Sequence, residues 1–169
     1  MKTSPILISA CLLGQKVRYD GDDKLQSNAR IKKLSEQNLL IPLCPEVSGG
    51  LPIPRAPAEI KIAGRNKLIV TNIKGTNVTK EFELGAENAL NLCLLNKIKV
   101  AILTESSPSC GSNLIYDGSF SSTKIPGEGI TTKLLKENGI EVFNEQQIDQ
   151  AIEYNSNLIN PNLANLNSV

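Results

Sequence analysis

Three short apolar runs each empty into a cysteine. Ile6-Leu7-Ile8-Ser9-Ala10 leads to Cys11, and Leu39-Leu40-Ile41-Pro42-Leu43 leads to Cys44. Val100-Ala101-Ile102-Leu103 opens into the loop Glu105-Ser106-Ser107-Pro108-Ser109-Cys110-Gly111. Runs this short and this apolar read as buried strands. Stretches with helical spacing alternate with them. One covers 26–36 and is capped by Ser27 or Asn28. The next, 78–96, carries Phe82, Ala86, Ala89, Leu90, Cys93 and Leu94 on one stripe. A helix over 128–138 is expected to bury Ile130, Leu134 and Leu135 and to stop at Asn138-Gly139. A strand at 140–143 and a helix over 145–154 follow. Strands alternating with helices predict a three-layer, Rossmann-like α/β domain with a mainly parallel sheet. The carboxyl ends of parallel strands share one edge, where ligands bind. The three thiols are therefore expected to converge although they lie far apart in the chain.

The 169 residues suit a single domain. Its expected extent is 1–154, followed by an Asn-rich tail over 155–169. A net charge of +1 and the lack of a basic run argue against a broad nucleic-acid surface. No apolar segment reaches membrane-spanning length. Met1 to Pro5 leads into a run too short for a signal peptide, so a cytoplasmic protein is expected. In that compartment the 4 cysteines serve metal binding, catalysis or the core more readily than disulfides. Cys93, in mid-helix on the apolar stripe, reads as core.

There is no histidine. That excludes His-based triads, His-ligated zinc and His proton shuttles. Three thiolates complete an ordinary zinc site only if a carboxylate or water joins them. An iron–sulfur cluster is the alternative, since thiolates are its usual ligands. A four-iron cubane held by three cysteines leaves one iron open, and an open iron is a Lewis acid.

The stretch from Cys44 to Glu59 holds four prolines and two glycines, Gly49 and Gly50, and is expected to form neither a regular helix nor a central strand. It is either a rigid connector or a functional loop. Lys61 to Ile73 reads as a hairpin turning at Gly64-Arg65-Asn66. Tyr116-Asp117-Gly118 and Ile125-Pro126-Gly127 are turn signals flanking an irregular or hairpin segment.

Taken together, Ser9-Ala10-Cys11-Leu12-Leu13-Gly14, Arg18-Tyr19-Asp20-Gly21, Cys44-Pro45-Glu46, Gly49-Gly50-Leu51-Pro52, Pro54-Arg55 and Ser106-Ser107-Pro108-Ser109-Cys110-Gly111 form a joint pattern. The pattern resembles the DUF523 family, which includes the thiouracil desulfurases, over residues 5–143. The resemblance implies a four-iron–four-sulfur cluster held by Cys11, Cys44 and Cys110, with one iron not ligated by protein. It implies that this iron takes the sulfur of a thiolated pyrimidine and that water replaces it at carbon. Family members often carry another cysteine before the Arg-Tyr-Asp-Gly element. Here that position is Val17, which disfavours a fourth protein ligand.

On this footing Glu46 is the expected proton shuttle. Ser106 and Ser107 either hold the pyrimidine edge or satisfy backbone in the turn. Arg55 either holds a substrate oxygen or phosphate or pairs with a carboxylate. Glu59 and Glu105 are the other carboxylates that could move the proton, and Asp20 reads as a turn former. The expected activity is an iron–sulfur-dependent desulfurase, acting as a monomer on a thiouracil-type base, nucleoside or nucleotide. The alternatives are a metal-binding regulatory or sulfur-carrier module without turnover, and desulfuration of thiolated nucleosides in RNA.

Overall fold

The computed structural model describes residues 4–64 and 67–159. Its centre is a four-stranded parallel sheet in the order β2-β1-β5-β8. The strands are β1 (Ile6–Ser9), β2 (Leu40–Leu43), β5 (Val100–Leu103) and β8 (Glu141–Asn144). Ile8 lies level with Pro42 on one side and Ile102 on the other. Alternate residues of the buried strands serve opposite faces. Ile6, Ile8, Val100 and Ile102 pack with Ile31 of α1 (Ala29–Glu36) and with Ile148 and Ile152 of α5 (Ile148–Ile159). Leu7, Ala101 and Leu103 pack with Ala89 and Cys93 of α3 (Thr79–Leu95) and Leu135 of α4 (Ile130–Glu137). The expected three layers are present. Asn28 caps α1, its side-chain oxygen accepting the N–H groups of Arg30 at 2.9 Å and Ile31 at 3.2 Å.

Two small hairpins flank the sheet. β3 (Ala58–Ala63) and β4 (Lys67–Asn72) form the expected hairpin, although Arg65 and Asn66 of its turn lie outside the described residues. β6 (Leu114–Tyr116) and β7 (Lys124–Pro126) form the other. Ile60, Val70, Val78, Phe82 and Ile115 join both hairpins to the start of α3.

Three expectations need correction. The proline-rich stretch does contain a helical turn, α2 (Pro45–Ser48). Pro45 occupies its first position, where a missing N–H costs nothing and the fixed φ suits a helix. In α4 the buried residues are Thr131, Thr132 and Leu135, whereas Ile130 and Leu134 are half-buried. The two threonines are inside because they bond the Cys110 loop. The last helix starts at Ile148, not 145, and runs to Ile159, past the expected boundary at 154. Asn155 is buried there, its amide donating to the Ser4 carbonyl at 2.9 Å. Of the tail, residues 160–169 lie outside the described residues.

Candidate active site

The chain runs from β1 to β2 on one side of β1 and later inserts β5 on the other side. This reversal between β1 and β5 creates a crevice at the carboxyl edge of the sheet. The two strand ends are tied across it, since the Thr104 N–H donates to Ser9 Oγ at 3.0 Å. Cys11 lies in a single 3-10 turn, Ala10–Leu13, directly after β1. Cys44 follows β2 and caps α2, and Cys110 sits in the loop after β5. All three line one cavity of about 510 Å³, together with Glu46, Arg55, Ser106 and Ser107. Cys93 is fully buried in α3, away from that cavity, and burial pushes its thiol up to about 12. A thiol so desolvated is an inert core group.

Each cavity thiol has a polar neighbour. Cys11 Sγ lies 3.0 Å from Thr104 Oγ1, Ser9 Oγ donates to Cys110 Sγ at 3.7 Å, and Cys44 Sγ donates to the Val17 carbonyl at 3.8 Å. Burial raises all three thiols above the ordinary cysteine range. For Cys110, negative charge on Cys44, Glu46 and Cys11 adds to the burial. Thiolate is the ligating form, so a metal group that binds these thiols displaces their protons.

Among the described residues, no three His, Cys, Asp or Glu side chains are gathered tightly enough for one metal ion. Three thiols lining one cavity are the kind of donor that an iron–sulfur cluster takes.

Glu46 is the carboxylate beside the thiols. Its Oε2 accepts from Arg55 Nε at 2.7 Å and lies 2.6 Å from Arg55 Nη2; its Oε1 accepts from Ser107 Oγ at 3.2 Å. Arg55 also donates to the carbonyls of Val17 at 3.0 Å and Pro52 at 3.3 Å. Of its two expected uses, the structure displays carboxylate pairing. Ser107 Oγ additionally accepts the N–H groups of Ser109 at 3.0 Å and Cys110 at 3.2 Å, so it organises the turn. Ser106 is buried, holds a left-handed backbone with φ 64°, and has no side-chain partner among the described residues. Backbone strain of this kind persists where its surroundings enforce it. Asp20 accepts the Asp22 N–H at 3.1 Å, the role of a turn former.

The residue that the sequence reading undervalued is Glu105. Its carboxylate accepts the N–H groups of Ser106, Ser112, Asn113 and Leu114 at 3.0–3.2 Å. It also accepts the Ser112 hydroxyl at 2.9 Å and the amides of Asn113 at 3.1 Å and Asn144 at 2.7 Å. Burial pushes its acid up, but these donors outweigh burial and hold it at about 2. Glu105 thus wraps the Cys110 loop around a fixed negative charge. Thr131 and Thr132 brace the same loop, Thr131 Oγ1 meeting Ser109 Oγ and Thr132 Oγ1 donating to the Cys110 carbonyl, both at 2.8 Å.

Residues 6–147 match the family described as 2-thiouracil desulfurase. The chain belongs to that family. It is 37% identical over 153 residues to the uncharacterized protein YbbK of Bacillus subtilis (strain 168), covering 87% of this chain and 99% of that one. Among solved structures it resembles the 4Fe–4S-dependent thiouracil desulfidase TudS at 46% identity, with a TM-score of 0.85 over 90% of this chain and 98% of that chain. No helix among the described residues is long and apolar enough to cross a membrane.

Proposed function

We propose that this protein is an iron–sulfur-dependent desulfurase that exchanges the sulfur of a thiouracil-type base, nucleoside or nucleotide for oxygen from water. The observation that carries the reading is one cavity lined by Cys11, Cys44, Cys110 and Glu46 in a chain of this family. Cys11, Cys44 and Cys110 would hold a 4Fe–4S cluster, leaving one iron without a protein thiolate. When bound, the cluster supplies a Lewis acid for the thiocarbonyl sulfur.

The protein's own groups handle the proton. Water is a poor nucleophile until a base takes its proton, and no histidine is present. Glu46 takes that proton as water adds to the carbon bearing sulfur and returns it as sulfur departs. The products are the oxo-pyrimidine, hydrosulfide and one proton released to solvent, and no electrons are gained or lost. Arg55 acts through Glu46, fixing the carboxylate by charged hydrogen bonds. The unpartnered Ser106 hydroxyl holds the pyrimidine edge.

The test is anaerobic purification with iron and sulfide counting, followed by a 2-thiouracil assay. About four irons and four acid-labile sulfides per chain are expected, with equal yields of uracil and hydrosulfide. Zinc without labile sulfide, or a loaded protein without turnover, would support a metal-binding or carrier module instead. Glu46→Gln is expected to keep the cluster and lose roughly a hundredfold in turnover. Near-normal turnover would remove Glu46 from the proton path.

A further inference from the structure

Glu59 is a cavity carboxylate that the proposed chemistry does not use. It stands on β3 opposite Thr71, with 8% of its surface exposed. One oxygen, Oε2, accepts the N–H groups of Gly118 at 2.9 Å and Phe120 at 3.0 Å. These bonds anchor the connection between β6 and β7, where Phe120 holds a left-handed φ of 57° and lines the cavity with Tyr116. The other oxygen, Oε1, has no hydrogen-bond partner among the described residues, and no cation pairs with the carboxylate there. Among those residues, the side-chain atom sealed from solvent without a partner is Asn155 Oδ1, so Glu59 Oε1 is not sealed. Glu59 is among the residues that line the cavity.

A largely buried carboxylate oxygen without a protein partner is satisfied by water or by a donor that a ligand brings. The ligand of this cavity, on the desulfurase reading on which this inference rests, is a thiolated pyrimidine. Such a molecule carries ring N–H donors and, as a nucleoside, ribose hydroxyls. We propose that Glu59 Oε1 accepts a hydrogen bond from a donor of the thiolated pyrimidine, and that Glu59 is therefore a specificity-determining residue. A site built around a buried acceptor rejects analogues that lack the matching donor. Glu46 handles the proton at the reacting carbon, and Glu59 selects what is presented to it.

Glu59→Gln separates this role from anchoring. The glutamine oxygen can still accept the Gly118 and Phe120 N–H groups, while its amide nitrogen replaces Oε1 with a donor. The expected result in the loaded enzyme is normal iron and sulfide content, a KM raised about tenfold or more, and a much smaller change in kcat. Impairment of 2-thiouracil and 2-thiouridine alike identifies a ring N–H as the donor; impairment of 2-thiouridine alone identifies a ribose hydroxyl. An unchanged KM on both substrates, with a wild-type enzyme that turns them over, overturns this inference and leaves the desulfurase reading standing. A loaded wild-type enzyme without turnover overturns both. A crystal structure of the loaded wild-type enzyme with uridine decides the matter independently of the variant. A uridine donor within hydrogen-bond distance of Oε1 supports the proposal, and Oε1 facing only solvent overturns it.

Discussion

The Cys44 turn and the Cys110 loop bring their thiols to the same cavity by different physics. Around Cys44 the device is steric. A Cβ on Gly49 would come within 1.9 Å of the Glu81 carbonyl oxygen, and one on Gly85 within 2.1 Å of the Pro45 carbonyl oxygen. Two glycines thus let α2 lie directly on the backbone of α3, with the Asn88 amide bonding across to the Ser48 carbonyl at 2.9 Å. Around Cys110 the device is electrostatic, a carboxylate gathering the surrounding N–H groups. Backbone packing is indifferent to pH and intolerant of a methyl group. A carboxylate hub tolerates local bulk but depends on its charge.

The contrast can be broken at either end. Glu105→Ala should have the largest effect on stability, about 3 kcal/mol or more, because several donors lose a charged acceptor at once. Urea unfolding checks this, and iron content should fall with it. Gly49→Ala should cost about 2 kcal/mol, the scale of overpacking, and should lower iron content by displacing Cys44. An unperturbed Gly49→Ala protein would mean that α2 can lift from α3 freely. Cys93→Ser should cost about 1–2 kcal/mol for a buried hydroxyl while the cluster stays full, whereas Cys44→Ser or Cys110→Ser should lose iron.

Acid titration sharpens the comparison with the gentlest perturbation. Glu105 has its acid lowered from 4.5 to about 2 in the fold. Its contribution is therefore complete above about pH 4.5 and is lost as pH falls toward 2. The amide resonances of Ser106, Asn113 and Leu114 should titrate together near the lower limit, and that of Gly49 should not follow them. Movement of these amides near pH 4.5 would mean that Glu105 is not the hub.

Much of this could be read from local patterns. The apolar runs before Cys11 and Cys44, and the run at Val100–Leu103, are strands by composition alone, and parallel strands share an edge. Cys93 reads as core because its neighbours on the helix are apolar. What escaped depends on distant partners. Nothing near Glu105 announces Asn144, which arrives only with β8. Nothing in the spacing of α4 says that Thr131 and Thr132 face inward, because their reason is Ser109 and Cys110 on another loop. Among so many prolines the sequence reads as a helix breaker, whereas in the fold Pro45 opens α2. The pairing of Arg55 with Glu46 was one of two legible choices, and only the fold of the intervening prolines selects it.

The strand order has a consequence in time. A ribosome delivers Cys11 and Cys44 early, on neighbouring strands, but the wall that completes their cavity belongs to β5 and the loop beyond it. Between the synthesis of Cys44 and that of Cys110 the nascent chain therefore offers two of the three cavity thiols and no finished receptacle. A cluster of the proposed kind would meet a competent acceptor only after β5 has been inserted beside β1.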